Sequence, residues 1–133
     1  MKYTVPIGRF LYSFVFLMTI MNQFSAQTVT YALLSGLPVA DVLVPVSGGL
    51  AILGAISIIL GYKAKTGAWL IVIFLIPVTL HMHPFWKEMD ALNKQIQMME
   101  FMKNISMLGA ALLITYFGAG PLSLDGRNKT KSK

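Results

Sequence analysis

Four long apolar runs limit what this sequence can fold into more than any other feature does. They cover residues of about 7–26, 42–62, 66–83 and 104–119. A helix needs about 20 mostly apolar residues to cross the roughly 30 Å hydrocarbon core of a bilayer. Of the 133 residues, 56% are apolar and 12% are charged, whereas soluble domains have about a quarter charged residues. A chain this short could not bury so much apolar surface in a soluble core. The sequence therefore predicts an all-α membrane protein.

The expected architecture is a single membrane domain, residues 1–133, built as a bundle of four transmembrane helices. The first run is too long for the core of a signal peptide, so we expect it to be retained. Pro77 should kink the third helix, because proline removes a helical hydrogen bond. Between the third and fourth runs, Met89, Leu92, Ile96 and Met99 recur at helical spacing. This segment is predicted to be an amphipathic helix on the outer side, which lies at the interface or continues into the fourth span.

The distribution of basic residues predicts the orientation in the membrane. In an up-and-down bundle, eight of the eleven fall on one side and three on the other. Because cytoplasmic loops are enriched in Lys and Arg, both termini and the turn near residues 62–66 are expected in the cytoplasm. Residues 126–133 are predicted to be a solvated basic tail near anionic lipid.

Several classes of function have no support in the sequence. Without cysteine, the chain can form no disulfide, thiolate zinc site or iron–sulfur site. Its basic residues lie between or beyond the apolar runs and form no nucleic-acid face. His81 and His83 are two residues apart on a helix and would point about 200° away from each other, so we predict no metal site. No phosphate loop or nucleophile elbow is present, and whether the protein is an enzyme stays open.

Polar residues at the outer ends of all four runs suggest a binding pocket. Gln23 ends the first run, Ser47 begins the second, His81 ends the third and Asn104 begins the fourth. Polar side chains inside a membrane are functional candidates. We therefore predict that these four line one outward-facing pocket, with Trp86 covering its mouth. The alternative is a set of separate capping and interhelical hydrogen bonds.

Two further predictions concern structure. Arg9 and Asp125 are expected at the same cytoplasmic end, and charges near lipid seek partners, so we predict an ion pair between them. The second run is rich in small residues, with Ser47, Ala51 and Ala55 at a spacing that lets helices approach closely. This helix is expected either at the tightly packed centre of the bundle or at a contact between protomers.

The order of short motifs along the chain resembles that of a known family. The motifs are Gly8-Arg9, Gly36-Leu37-Pro38, Leu60-Gly61, the run from Pro77 to Trp86, the run from Phe101 to Asn104, and the run from Gly118 to Asp125. Together they resemble the DoxX family of small bacterial inner-membrane proteins. That resemblance implies a four-helix protein of the bacterial inner membrane. Relatives include the small subunit of a thiosulfate:quinone oxidoreductase and proteins that act beside enzymes of oxidative-stress defence.

The resemblance and the pocket together predict an accessory protein of a redox or oxidative-stress assembly. No cofactor is evident, but a quinone or a lipid-like molecule would suit the outer pocket, with His81 or Asn104 donating to a carbonyl. The alternatives are a scaffolding subunit without its own ligand and a small membrane oxidoreductase subunit of the thiosulfate:quinone type. Expected partners are the lipid bilayer and either a redox protein or a second copy of the chain, docked through the small-residue helix.

Overall fold

The computed structural model describes residues 1–131, apart from the side chains of residues 20, 21 and 128–131. Its elements are α1 (Thr4–Gln23), α2 (Ala26–Leu34), α3 (Ala40–Leu60), α4 (Ala64–Met82), a short 3₁₀ helix (Phe85–Lys87), α5 (Ala91–Phe117) and α6 (Leu124–Lys131). Every regular element in this part of the chain is helical, which confirms the all-α prediction.

Three helical segments of the described chain are long and apolar enough to cross a membrane. They are Ala40–Leu60, Ala64–Lys87 and Ala91–Phe117. The apolar stretch of α1, Thr4–Thr19, is shorter. A membrane protein with several apolar helices is thus confirmed, while a bundle of four spanning helices stays a prediction.

A short helix, α2, lies between the first and second apolar runs. Its N-cap is Ser25, whose hydroxyl accepts the backbone N–H of Thr28 at 3.2 Å. Gly36 follows the helix with a φ of 87°, a left-handed conformation in which glycine is favoured. Ala32 of α2 is fully buried against Val44 of α3. The helix has only nine residues, well below the length of a span.

The amphipathic segment and the fourth apolar run form one helix, α5, of 27 residues. The Asp90 side chain caps its start by accepting the backbone N–H of Asn93 at 2.9 Å. Of the two arrangements expected for this segment, the structure has the continuous one. The described part of the basic tail belongs to a helix, α6, which runs from Leu124 to Lys131, and a solvated tail near anionic lipid stays a prediction. Residues 132 and 133 lie outside the described chain.

Helix α3 lies at the packed centre, between α1 and α4. Ala51 and Ala55 are buried there, so close packing within the chain accounts for the small residues. The crossing with α4 is tight at Gly54, where an added Cβ would lie 2.7 Å from the carbonyl oxygen of Gly67. The surrounding core consists of Phe16, Ala51, Ala55, Ile58, Ala68, Ile71, Val72, Phe74, Leu75 and Ala111.

Candidate functional site

A cleft of about 310 Å³ opens between α1, α3 and α4, at the end of the bundle where α1 finishes. Its walls are mostly apolar, and its polar residues are Gln23, Ser47, His81 and His83. The apolar lining residues are Leu37, Leu43, Val44, Val46, Leu50, Ile73, Phe74, Pro77, Val78 and Met82. A cavity of this size is at the lower end of the range for small-molecule sites, which are typically apolar with a few polar groups.

Gln23 and Ser47 form one polar corner of this cleft. The Gln23 amide nitrogen donates to the Ser47 hydroxyl at 3.3 Å, and that hydroxyl donates to the Val44 carbonyl at 2.8 Å. Gly48 makes the approach possible, because a Cβ there would lie 2.6 Å from Cγ of Gln23. The sequence offered a pocket and interhelical hydrogen bonds as alternatives. The bond between Gln23 and Ser47 joins two helices, and both residues also line the cleft.

His81 forms a second polar position on the cleft wall. Its Nδ1 lies 3.1 Å from the carbonyl oxygen of Pro77, one turn earlier in α4. A carbonyl can only accept, so Nδ1 carries the hydrogen and Nε2 of the neutral ring is an acceptor. Pro77 also lines the cleft and supplies no N–H to the carbonyl of Ile73. This corner of α4 is thus suited to a ligand that donates a hydrogen bond.

Asn104 lines a separate cavity of about 140 Å³ between α1, α4 and α5. Gln23 and His83 border both cavities, whereas His81 lines only the larger one. Asn104 is 5% exposed, as expected of a polar residue that faces protein. The structure therefore brings Gln23, Ser47 and His81 together and places Asn104 on the far side of a shared wall.

Trp86 lines neither cavity. Its ring stands edge-on to the rings of Phe85 and Phe101, with centroids 5.2 and 5.8 Å away. About half of the side chain is exposed. These ring contacts hold the 3₁₀ helix against α5. Trp86 was expected to cover the mouth of the pocket, but the contacts described for it are with these rings.

A hydrogen-bond network near the cleft was missed by the sequence analysis. The Tyr31 hydroxyl donates to the Met82 carbonyl at 3.1 Å, and the Gln97 amide nitrogen donates to the Tyr31 hydroxyl at 3.2 Å. The Gln97 amide oxygen then accepts from Nδ1 of His83 at 2.8 Å. The network ties α2, the end of α4 and α5 together. The sequence gives no sign of this role for Tyr31, because the residue lies outside the four apolar runs.

Within the part of the chain that the structure describes, no group of three or more His, Asp or Glu side chains could hold a metal ion. His83 instead belongs to the Tyr31 network, and His81 faces the Pro77 carbonyl.

Arg9 and Asp125 lie at the other end of the bundle but do not form the direct ion pair that we predicted. The Nη2 atom of Arg9 donates to the Leu122 carbonyl at 2.6 Å. The two oxygens of Asp125 accept the backbone N–H groups of Lys63 at 2.8 Å and Ala64 at 3.1 Å. The two charges are close enough to attract each other, yet Asp125 caps α4. Among the described side chains, the ion pair within bonding distance is Lys103 with Glu100.

Comparisons with known proteins show which sequences this chain resembles. The SURF4 family model matches residues 2–131. The ER-derived vesicles protein ERV29 of Saccharomyces cerevisiae is 31% identical over 80 residues, which are 60% of this chain and 26% of that protein. The chain thus spans about a quarter of the length of this relative. The inner membrane protein YphA of Escherichia coli is 31% identical over 101 residues, 75% of this chain and 71% of that protein. No solved structure matches.

The resemblance to the DoxX family is therefore wrong, since the family model that covers nearly the whole chain is SURF4. The predicted redox or oxidative-stress assembly, the thiosulfate:quinone alternative and the quinone ligand depended on it and fall with it. Neither the family model nor the two relatives support a redox partner or an oligomer. The motifs were misleading because glycine, proline and aromatic residues are common at the ends of apolar helices in many families.

Proposed function

Because this chain belongs to the SURF4 family, we propose that it is a membrane-embedded binding protein whose ligand is a short apolar peptide segment. The segment would bind in the cleft between α1, α3 and α4. The single observation that carries this proposal is the combination of largely apolar walls with a few polar groups in a cleft of about 310 Å³.

The apolar walls suit two or three aliphatic or aromatic side chains. Ile73, Phe74 and Val78 line the cleft from α4, and Val44, Val46 and Leu50 line it from α3. Each buried aliphatic or aromatic side chain contributes roughly 1.5–3 kcal/mol relative to an exposed one. Binding of a small apolar segment would therefore be favourable without any charged contact.

The polar groups of the cleft distinguish a peptide ligand from a hydrocarbon chain. His81 offers an acceptor at Nε2 in its neutral ring, and the Gln23 amide lies across the same cleft. A peptide backbone supplies both N–H donors and carbonyl acceptors, so it can satisfy these groups. A fatty acyl chain satisfies neither. This match supports a peptide over the hydrocarbon part of a lipid.

We place the cleft on the non-cytoplasmic side of the membrane. Basic residues are in excess at the opposite end, where α1 begins and α3 meets α4, and cytoplasmic loops are enriched in Lys and Arg. The cytoplasmic membrane of a bacterium would suit such a protein, and the relative from Escherichia coli is by name an inner membrane protein.

The test measures binding of fluorescently labelled five-residue peptides to the protein in lipid nanodiscs, by fluorescence anisotropy. A peptide of Leu, Val and Phe should bind, and a peptide of the same length with Asp and Ser should not. Val46→Phe should fill the cleft and weaken binding at least tenfold, which corresponds to about 1.4 kcal/mol. Leu53→Phe is the matched control, because Leu53 is exposed on the same helix but does not line the cleft.

His81→Ala should also weaken binding by about fivefold, since one hydrogen bond usually contributes about 1 kcal/mol net. Equal binding of both peptides, or equal weakening by Val46→Phe and Leu53→Phe, would contradict the proposal. A phospholipid retained by the unmodified protein in native mass spectrometry, and lost in Val46→Phe alone, would identify the cleft as a lipid site instead.

A further inference from the structure

A third cavity, of about 490 Å³, lies at the basic end of the bundle, far from the cleft described above. It opens between the turn that joins α3 to α4 and the loop that joins α5 to α6. Lys63, Lys65 and Thr66 line it from one side, and Gly118, Gly120 and Ser123 line it from the other. The proposed peptide-binding function makes no use of this cavity.

Lys65 is held at the edge of the cavity by its own contacts. Its ammonium group donates to the Tyr116 carbonyl at 2.7 Å, and its Cε lies against Gly118, where an added Cβ would be 3.3 Å away. An ammonium group has three donors, so the bond to Tyr116 leaves further donors for a ligand. Lys63 is exposed on the turn next to it.

The acid that lines this cavity is already engaged. Both carboxylate oxygens of Asp125 accept backbone N–H groups at the start of α4. The remaining acids of the chain, at positions 41, 88, 90 and 100, belong to segments near the opposite end. The local charge is therefore positive, from Lys63, Lys65 and Arg9 against Asp125.

Arg9 lies directly behind the cavity wall and strengthens this field. It is 6% exposed, and its Nε and Nη1 atoms have no hydrogen-bond partner. A Cβ added at Gly61 would collide with both Arg9 Nη1 and Ser123 Cβ. The guanidinium therefore lies close to Ser123, which lines the cavity. Leu122, whose carbonyl accepts from Arg9, adopts a left-handed φ of 52°, which is uncommon outside glycine. A buried, incompletely paired charge favours a negative group nearby.

We propose that this cavity binds the phosphate group of an anionic phospholipid. Lys63 and Lys65 would contact the phosphate, and Arg9 would act through the wall as a fixed positive charge. The position fits a headgroup, because α4 begins and α5 ends here, where spanning helices leave the hydrocarbon. Tyr116 and Phe117 are strongly exposed beside the cavity, and aromatic residues are enriched at that depth of a membrane.

The test uses native mass spectrometry of protein extracted gently from vesicles of equal parts phosphatidylcholine and phosphatidylglycerol. The unmodified protein should retain one phosphatidylglycerol per chain. Lys63→Gln with Lys65→Gln should lower the affinity about 25-fold, since each lysine near anionic lipid contributes a factor of about five. The matched control is Lys87→Gln with Lys94→Gln, which removes the same charge at the opposite end and should retain the lipid.

Equal retention by both double variants, or equal loss from both, would overturn a defined site at this end. A free phosphate is the other source of the same chemistry, so inorganic phosphate is titrated into protein purified in a neutral detergent. No rise in melting temperature with phosphate, together with a rise on adding phosphatidylglycerol, supports the lipid. An equal rise with both would overturn the lipid assignment in favour of a phosphate ion.

Discussion

Asp125 performs a different task from the one that its charge suggested. The sequence placed it beside Arg9 at one end of the bundle, which is correct, but its oxygens are taken by the backbone N–H groups of Lys63 and Ala64. The first N–H groups of a helix have no partner within the helix, so a carboxylate there forms strong hydrogen bonds. The backbone N–H of Asp125 also donates to the Gly61 carbonyl at 2.8 Å. This one residue therefore fastens the segment after α5 to the turn before α4.

Replacing Asp125 should destabilise the protein through loss of this cap. We expect Asp125→Ala to lower the free energy of unfolding by about 1–2 kcal/mol, the usual cost of losing a capping side chain. Helix content followed by circular dichroism during heating in detergent measures it. Asp41→Ala is the control, because Asp41 is an exposed acid in the first turn of α3 and should cost less than about 1 kcal/mol. Equal shifts for both variants would show that charge, not capping, is responsible.

The candidate site shows what chain order can and cannot predict for single residues. Gln23, Ser47 and His81 share one depth because successive helices alternate in direction, and depth follows from chain order. Which way a side chain points around its helix depends on how that helix is rotated by its neighbours. Asn104 has the expected depth but lines the neighbouring cavity with Gln23, and Trp86 is held by Phe85 and Phe101. Helix rotation is decided by packing across the bundle, which no local pattern contains.

Small residues allow α3 and α4 to cross at very close range. An added Cβ at Gly54 would lie 2.7 Å from the Gly67 carbonyl oxygen, and one at Gly67 would lie 2.5 Å from the Ser57 hydroxyl oxygen. In a membrane, helices associate through van der Waals contact rather than hydrophobic exclusion. Close approach of the two backbones is therefore a main source of stability for this pair.

Gly54→Ala should force the two helices apart and lower the free energy of unfolding by about 1–3 kcal/mol, as overpacking of a tight interior usually does. Gly49→Ala is the matched control on the same helix, since a Cβ there meets nothing within 4 Å. Alanine is the better helix former by roughly 0.5–1 kcal/mol, so Gly49→Ala should leave the melting temperature unchanged or raise it. A lower melting temperature for Gly49→Ala than for Gly54→Ala would show that the close contact does not limit stability.

The long elements could be predicted from apolar length, but their boundaries and the short elements could not. The four runs correspond to α1, α3, α4 and the second half of α5. The ends of α1, α3 and α4 are shifted by a few residues from the runs. The starts of α2 and α5 are set by the capping side chains of Ser25 and Asp90, which apolar length does not reveal. Helix α2 buries Ala32 against α3. That contact joins residues far apart in the chain, so local periodicity gives little sign of it.

At the scale of the whole molecule, the two ends of the bundle differ in chemistry. One end has Arg9, Asp125 and the lysine-lined cavity, and the other has the apolar cleft beside Gln23 and His81. Family assignment also belongs to this scale. Motifs at helix ends reflect how apolar helices terminate, and many membrane proteins share such motifs. The SURF4 match, by contrast, extends over residues 2–131. Agreement along the entire chain is the stronger evidence.

The difference between the ends leads to a prediction of orientation. It rests on the expectation that, in an up-and-down bundle, eight of the eleven basic residues fall at one end. The chain has no cysteine, so single cysteines can be introduced without background. Ser35→Cys, just after α2, and Asn93→Cys, near the start of α5, should react in intact cells with a thiol reagent that cannot cross membranes. Ser132→Cys, beyond the described residues, should react only after the cells are opened.

The expected pattern follows because the positive charges of Lys63, Lys65 and Arg9 resist transfer across the bilayer. Labelling at position 132 in intact cells, with positions 35 and 93 protected, would reverse the orientation. The peptide cleft would then face the cytoplasm, and the phosphate-binding cavity would face the other leaflet. Labelling at positions 35 and 132 in the same intact cells would mean that the number of spans between them is even. One of α3, α4 and α5 would then not cross the membrane, and α5, the least apolar of the three, is the first to examine by accessibility along its length.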